Sequence, residues 1–312
     1  MKLLTDFLLN INELSMPSHG CSDMGLPEVS EAAQQIIRDY VAAVDKKLSE
    51  LGFVLEDWDR RELLFGVENS IRLFSIALAK RRGSMVVEAV DAKKAVRHAS
   101  PTMFIKHALG TPEQYQLGRK TREENFKIFK EHLESLDRPR LLDAGCGWGR
   151  QIISYRKRGL KGEFFGVDIS KASVHYGKTV DPHINFIVAD IQHLPFKDQC
   201  FDAVICLAVV TQIRHNKGTE NSIREFSRVL NSKGLLELAD SFTENVLMTK
   251  MLNIMTRLFR IFWHEIGHFC HFSRVRELLE ENGFTELKAI KLRPTIISLL
   301  FGNIYDLLAY KN

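Results

Sequence analysis

Residues 141–149 read Leu-Leu-Asp-Ala-Gly-Cys-Gly-Trp-Gly, and this stretch decides the fold prediction. An apolar strand runs into three glycines that alternate with other residues, and a helical pattern follows. Glycine permits a tight turn and a close approach of the backbone to a ligand. The N-terminus of the helix behind it presents free N–H groups and the positive end of its dipole. The stretch therefore predicts a ligand-binding turn between a strand and a helix.

Acidic residues close the two strands that are predicted next. Asp168 ends the stretch Glu-Phe-Phe-Gly-Val-Asp, and Asp190 ends the stretch Asn-Phe-Ile-Val-Ala-Asp. An acid at the tip of the second strand is placed to accept hydrogen bonds from ribose hydroxyls. The turn and the first of these acids together predict a site for a ligand that contains a ribose.

Predicted strands and helices alternate through the C-terminal two thirds of the chain. The predicted strands cover 140–143, 163–168, 185–189, 201–207, 235–238, 286–292 and 304–310. A long charged helix over 113–136 precedes them. Alternation of this kind predicts an α/β fold, with a mostly parallel sheet and helices on both of its faces.

This series resembles the class I S-adenosylmethionine-dependent methyltransferases, closely over about 141–238 and loosely over the rest of the C-terminal half. The glycines alternate as GxGxG, which favours S-adenosylmethionine over NAD, whose fingerprint is GxGxxG. The resemblance implies a Rossmann-like sheet of seven strands, mostly parallel with an antiparallel seventh strand. It also implies an enzyme that uses S-adenosyl-L-methionine as its cofactor.

The resemblance assigns cofactor-binding residues by their position in the motif. The loop that holds the methionine part of the cofactor would contain Asp143, Gly145, Cys146 and Gly147. Asp168 would bind the ribose hydroxyls, and Ile169 would flank the adenine.

The same resemblance places further residues around the adenine and the amino group of the cofactor. Asp190 and Ile191 would lie at the adenine edge, and the carbonyl of Leu207 would meet the amino group. Tyr115 and Arg119 could close the cofactor site from the preceding helix. A packed tyrosine and a surface arginine are the alternatives for these two.

The acceptor is less well specified than the cofactor. After the fourth strand, the chain lacks the Asn/Asp-Pro-Pro-aromatic motif of methyltransferases that act on adenine, cytosine or glutamine amino groups. It resembles the methyltransferases of small molecules, quinones and sterols, and more weakly those of the tRNA wobble uridine. We therefore expect a small, partly apolar acceptor. Thr211, His268 and His271 are the candidate catalytic residues. The alternatives are a tRNA or protein methyltransferase and a non-catalytic, cofactor-binding interaction protein.

An insertion over 241–272 follows the fifth predicted strand. It carries an apolar stripe with Leu247, Met251 and Ile254, and basic residues fall on the other side. Such a helix could cover an apolar acceptor pocket, lie on an anionic membrane surface, or pack on its own domain. A helix capped by Ser273 is predicted to follow.

The end of the insertion has the form HExxH, with His264, Glu265 and His268. In zinc proteases both histidines lie on one helical face and the glutamate is the base. Here Gly267 weakens the helix prediction, and no third ligand follows at the spacing of those families. We therefore expect no metal at this motif.

The first part of the chain, 1–108, is predicted to be a separate all-α module before a methyltransferase domain over 109–312. Its pattern of apolar positions over about 70 residues resembles the helical lid of minichromosome-maintenance helicases. No Walker motif is present, so no ATPase activity is expected. Asp91 would cap its last helix. A docking, dimerisation or substrate-recruitment role fits such a module, and a DNA-linked role is an alternative.

Composition excludes several classes of protein. The 312 residues are 45% hydrophobic and 26% charged, with a formal net charge of +4. These values exclude collagen-like, disordered and disulfide-scaffold chains. The five cysteines form no CxxC and fit a cytoplasmic protein. No uninterrupted apolar stretch reaches the length of a transmembrane helix, although peripheral membrane contact stays open. Basic clusters form no clear stripe, so nucleic acid is not favoured as a partner, and oligomerisation is left open.

Overall fold

The computed structural model of the chain describes residues 26–97, 101–102, 105, 111–213, 217–258, 270–292 and 303–312. The chain divides into two compact units, Met1–Gln116 and Leu117–Asn312. The division falls inside a long helix, Pro112–Glu134, whereas the sequence placed it after residue 108. A helix that contributes to both units leaves no linker in the sequence to mark the boundary.

The first unit is mainly helical. Its described elements are β1 (Glu28–Val29), α1 (Glu31–Glu50), α2 (Asp57–Arg81), β2 (Val86–Val87) and α3 (Ala89–Arg97). The two short strands pair in parallel, since the N–H of Glu28 donates to Met85 O and that of Ser30 donates to Val87 O. The prediction of an all-α module therefore leaves out this strand pair, although residues 85–89 have a short β-like pattern that includes β2.

Asp91 links the end of α2 to the start of α3. The helix begins at Ala89, so Asp91 lies in its first turn and is not the cap residue itself. Its carboxylate accepts the N–H of Glu88 at 2.9 Å and pairs with Arg82 at 2.7 Å. Asp91 is 2% exposed and Arg82 is 38% exposed, so one buried carboxylate both caps α3 and forms a half-buried ion pair.

The second unit alternates strands and helices after the long helix α4 (Pro112–Glu134), which begins in the first unit. The described elements that follow are β3 (Arg140–Ala144), α5 (Arg150–Lys157), β4 (Glu163–Asp168), α6 (Lys171–Val180), β5 (Asn185–Val188), β6 (Phe201–Leu207), a 3-10 helix (Val210–Gln212), α7 (Gly218–Val229), β7 (Leu230–Phe242), α8 (Val246–Leu258), α9 (Phe272–Glu281), β8 (Phe284–Lys291) and β9 (Asn303–Lys311). This is the α/β alternation that the sequence predicts.

The strands form one sheet in the order β5-β4-β3-β6-β7-β9-β8. Six strands run in the same direction, and β9 is antiparallel to both of its neighbours, β7 and β8. Strand order reverses at β3, because β4 lies on one side of it and β6 on the other. Open α/β sheets bind ligands at the carboxyl ends of the strands beside such a switch point.

The hydrophobic core of the second unit lies around the middle of this sheet. Its apolar strand residues include Leu142, Val167, Val204 and Leu238, all fully or almost fully buried. Helices α7 and α9 pack against the same cluster through Phe226 and other apolar side chains. The core fixes the strands, so the residues at their carboxyl ends have defined positions. Among the described helices, none is both long and apolar enough to cross a membrane.

Candidate functional site

The glycine turn, residues 145–149, joins β3 to α5 at the switch point. Gly145 has φ +82° and donates its N–H to Val167 O at 2.7 Å. A Cβ on Gly145 would lie 2.4 Å from a methyl carbon of Val209. A side chain at position 145 is therefore excluded both by the backbone conformation and by a packed neighbour.

The other two glycines of the turn differ in what surrounds them. Gly149, at the N-cap of α5, has φ +89°, and a Cβ there would lie 2.4 Å from the ring of Phe186. Gly147 has φ +54°, and a Cβ there would meet no atom within 4 Å. The turn is thus packed at its two ends and open at its middle, where a ligand can approach the backbone.

Asp168 binds the open part of the turn from the end of β4. One carboxylate oxygen accepts the N–H of Gly147 at 2.8 Å, and the other accepts the N–H of Ser170 at 2.8 Å. Burial raises the pKa of Asp168, and these two backbone hydrogen bonds oppose the increase. Ile169, the next residue, is 74% exposed, which is unusual for an isoleucine and leaves its side chain available to a flat apolar ligand.

Asp143 ends β3 in a buried position directly before the turn. It is 4% exposed, and its Oδ2 atom accepts no hydrogen bond from the described residues. Burial, and then the negative charge of Asp168, raise the pKa of Asp143 to about 7. A buried carboxylate oxygen without a partner is costly, so a ligand with donor or cationic groups at this point would be stabilised.

The remaining cofactor candidates lie along the same edge of the sheet. Asp190 is half-buried and accepts the N–H of Gln192 at 2.9 Å. Leu207 is half-buried at the carboxyl end of β6. Ile191 is 5% exposed and packs in the hydrophobic core, so its backbone and not its side chain is available at the site. Cys146 is buried, and its thiol donates to Gly147 O.

Tyr115 and Arg119 fall on either side of the division between the units. Tyr115 is 6% exposed, and its ring meets that of Phe53 edge-on, with centroids 5.9 Å apart. Phe53 and Tyr115 both belong to the first unit. The tyrosine therefore packs within that unit, which agrees with the alternative given for it. Arg119 is half-buried in the part of α4 that belongs to the second unit. Their closing of the cofactor site stays a prediction.

Thr211 lies in the turn after β6 and binds an acid that the sequence analysis missed. Its hydroxyl donates to Oδ1 of Asp240 at 2.5 Å, and its N–H donates to Oδ2 at 3.2 Å. Asp240 is 4% exposed near the end of β7. One signal could have revealed it, since β7 carries an aspartate at its carboxyl end as β3 and β4 do. The hydroxyl of Thr211 is thereby committed to holding this turn.

A cavity of about 250 Å³ lies between α7, α8 and α9, near the carboxyl end of β7. Apolar residues (Val246 and Leu278) and polar residues line it together. The polar lining residues are Thr219, Glu220, Thr249, Lys250, Asn253, His271 and Arg274. The cavity therefore has the mixed lining that is typical of sites for small molecules.

His271 is at the edge of this cavity and caps α9. Its Nδ1 accepts the N–H of Ser273 at 3.3 Å, and helix α9 begins at Phe272. The predicted cap at Ser273 is therefore wrong by two residues, since the imidazole reaches the free N–H first. The other candidate, His268, lies outside the described residues.

The HExxH motif, His264 to His268, also lies outside the described residues. Across the part of the chain that the structure does describe, no group of three or more His, Cys, Asp or Glu side chains could hold a metal ion. The expectation that the motif binds no metal therefore stays a prediction.

The apolar stripe of α8 lies within the predicted insertion. Leu247, Met251 and Ile254 are 77%, 47% and 57% exposed, while Leu252 and Thr249 are buried. The helix therefore packs on its domain through the Thr249–Leu252 side. Among the described residues, the predicted stripe faces away from that contact.

A second group of buried acids lies in the sheet that carries the candidate cofactor residues. Asp143 and Glu237 share a row of the sheet, since both pair in register with Ile205 of β6. Asn125 of α4 donates to Glu237 at 2.8 Å and to Asp306 at 3.0 Å. Burial raises the pKa of both acids, and the charge of Asp306 raises that of Glu237 further. This pair therefore retains a proton more readily than ordinary carboxyl groups do.

Comparison with protein families gives a match that covers the glycine turn and all or part of the five strands β3 to β7. Residues 142–238 match the family described as "Methyltransferase domain". The matched range contains Asp143, the glycine turn, Asp168 and Asp190.

Proteins similar to the chain include two curated relatives and one solved structure. A demethylmenaquinone methyltransferase of Lactobacillus johnsonii is 24% identical over 48% of this chain and 70% of its own length. A ubiquinone/menaquinone biosynthesis C-methyltransferase of Pseudomonas fluorescens is 33% identical over 36% of this chain, which spans 46% of that relative. A geranyl diphosphate C-methyltransferase structure from Streptomyces coelicolor, with S-adenosyl-L-homocysteine, is 14% identical over 61% of this chain and 76% of its own, at TM-score 0.47.

Proposed function

We propose that this chain, which carries an S-adenosylmethionine-dependent methyltransferase domain, transfers a methyl group to a small, partly apolar acceptor. The observation that carries the proposal is the arrangement at the switch point. An open Gly147, an unpartnered carboxylate oxygen on Asp143 and the exposed Ile169 lie at adjoining strand ends. The donor has matching groups, namely an ammonium, a ribose and a flat base.

The residues present fit S-adenosylmethionine. Asp143 and the backbone of the glycine turn would hold its methionine part, because the buried Oδ2 atom needs a donor and the turn is open at Gly147. Asp168 would hold the ribose. Each of its oxygens already accepts one backbone hydrogen bond and has capacity for a second. Ile169 and the backbone at Asp190 and Ile191 would border the adenine.

The chemistry asks little of the protein beyond positioning. When bound, S-adenosylmethionine supplies a methyl group on an already activated sulfonium. The chain orients donor and acceptor for an in-line displacement and excludes water. This orientation can supply most of the acceleration. A general base is needed only if the acceptor must lose a proton. His271 lies in the lining of the cavity and is the described candidate for that task.

The mixed cavity between α7, α8 and α9 supports the acceptor class. Val246 and Leu278 offer apolar contact, while Lys250, Asn253 and Arg274 offer polar contact. We expect the acceptor to bind there with an apolar body and a polar end. The two curated relatives are named for the methylation of quinones, which are molecules of this type.

Transfer of a labelled methyl group tests this proposal. The full chain is incubated with methyl-labelled S-adenosylmethionine in three parallel reactions. One contains a panel of quinols and phenols, one contains tRNA, and one contains a protein extract. We expect label in the small-molecule fraction only. Label in tRNA or protein, with none in the small molecules, would overturn the acceptor class. Undetectable binding of S-adenosylmethionine would overturn the reaction itself.

A further inference from the structure

The turn after β6, residues 208–211, is held in an uncommon conformation. Ala208 has φ +59°, in the left-handed region that residues with a side chain rarely occupy. Its N–H donates to Ala239 O at 2.7 Å. Such a conformation costs about 1–3 kcal/mol and persists only where its surroundings determine it. Contacts with neighbouring residues must therefore hold this turn in its conformation.

Asp240, on the neighbouring strand β7, provides side-chain contacts to this turn. Its carboxylate accepts the hydroxyl and the N–H of Thr211, and also the N–H of Ser241 at 2.7 Å. A carboxylate that is 4% exposed and accepts two hydrogen bonds from Thr211 holds this turn in place.

The 208–211 turn packs in its turn against the glycine turn, residues 145–149. The methyl groups of Val209 lie over Gly145, so close that a Cβ there would overlap them. Gly145 begins the backbone segment that we propose holds the cofactor. Any movement of Val209 therefore reaches the cofactor segment directly, without passing through the rest of the sheet.

The end of β7 also connects Asp240 to the wall of the proposed acceptor cavity. Thr243, which follows β7, donates its N–H to Cys270 O at 2.9 Å, and Cys270 lines the cavity. The end of β7 therefore joins the turn that supports the donor segment to the cavity proposed for the acceptor.

We propose that Asp240 is a positioning residue, which holds the 208–211 turn against Gly145 and so sets how methyl donor and acceptor meet. This inference rests on the proposed function for its catalytic consequence. Its structural part, the coupling of Asp240 to the glycine turn, stands independently. Neither Asp240 nor Thr211 needs to touch the reacting atoms.

The test compares Asp240→Asn, Thr211→Val and Thr211→Ser in the full chain, with the exposed, ion-paired Asp198→Asn as the matched control. Asparagine cannot accept the Thr211 N–H through its amide nitrogen, and valine lacks the hydroxyl. We expect both to raise the dissociation constant for S-adenosylhomocysteine about tenfold and to lower kcat by more than they raise the acceptor KM. Thr211→Ser and Asp198→Asn should stay within about twofold of the parent.

If Asp240 had only a structural role, the variants would differ from the parent in stability alone. Asp240→Asn would then lower the melting temperature, while the folded protein kept its affinity and its kcat. That outcome would overturn the inference.

Amide hydrogen exchange tests the coupling without any activity. In Asp240→Asn we expect faster exchange both in 208–212 and in 145–149, whatever the reaction of the protein proves to be. Faster exchange confined to 208–212 would contradict the coupling. If the parent chain binds no cofactor and Asp240→Asn still shows the coupled exchange, the proposed function would be overturned. The coupling of Asp240 to the glycine turn would remain valid.

Discussion

At the residue scale, three aspartates at neighbouring strand ends have different partners. Asp168 accepts two backbone N–H groups, Asp240 is satisfied by the turn after β6, and Asp143 keeps one buried oxygen without a described partner. Identical side chains therefore perform different tasks because the backbone groups that reach them differ. A ligand is expected where a carboxylate remains unsatisfied and not where it is already occupied.

The glycines of the turn give a prediction at the same scale. Gly145→Ala should lower the free energy of unfolding by about 1–3 kcal/mol, because its Cβ meets Val209 at a positive φ. Gly145→Ala with Val209→Ala should recover part of the loss, which denaturant unfolding measures. An equal loss in the single and the double variant would show that Val209 does not limit position 145.

Gly147→Ala is the matched comparison. A methyl group here meets no atom, so we expect a smaller loss of stability, on the order of 1 kcal/mol from the left-handed backbone alone. The methyl group would occupy the space proposed for the cofactor and should weaken S-adenosylhomocysteine binding. Unchanged affinity in this variant would place the ligand elsewhere.

At the scale of elements, α3 depends on a single buried carboxylate. Asp91→Ala removes the hydrogen bond to the Glu88 N–H and leaves Arg82 without this partner. We expect the first unit to lose about 1–3 kcal/mol of stability. Chemical denaturation of the full chain measures this loss, and the exposed Asp39→Ala on α1 is the control. A change of a few tenths of a kcal/mol in Asp91→Ala would contradict the assigned role.

Apolar runs in the sequence predict most of the strands well. Observed β3, β4 and β6 agree with the predicted ranges within one residue, because each is a short buried run before a turn. By contrast, β7 begins at Leu230 and not at 235. Leu230 pairs with Phe201, and an irregularity in register separates this pair from the regular pairing that starts at Leu235. Contacts between distant residues, such as Thr211 with Asp240, leave no local pattern and could not be predicted.

The caps show the same limit. Ser273 and His271 are both plausible caps by residue type, and only the path of the chain decides which side chain reaches the free N–H. The candidate cofactor residues of the glycine turn could be identified in the sequence because their spacing is local. Of the cavity lining, the sequence indicated only the insertion and His271, because the cavity joins side chains from three separate helices.

At the scale of the whole molecule, the buried acids make stability depend on pH. Burial raises the pKa of Glu237 above the ordinary 4.5, and that of Asp143 to about 7. The folded state therefore binds these protons more tightly than the unfolded state does. The contribution of these two acids to stability is fully present below about pH 4 and is lost as pH rises through neutrality, by up to about 1.4 kcal/mol per pH unit for each proton.

Glu237→Gln tests this dependence, because glutamine resembles the protonated acid. Between pH 5 and pH 8 the parent should lose stability in denaturant unfolding, and the variant should lose less. The exposed Glu131→Gln on α4 should follow the parent curve. Parallel curves for Glu237→Gln and the parent would contradict a raised pKa at this position.

Calorimetric titration of the full chain with S-adenosylhomocysteine tests the central claim most directly. We expect saturable one-to-one binding, weakened by about 1.5–3 kcal/mol in Asp168→Ala, since hydrogen bonds from the ribose to a charged group are lost. Asp198→Ala should bind as the parent does. Absence of binding in the parent, or equal affinity in Asp168→Ala, would contradict the assignment of this sheet edge as the cofactor site.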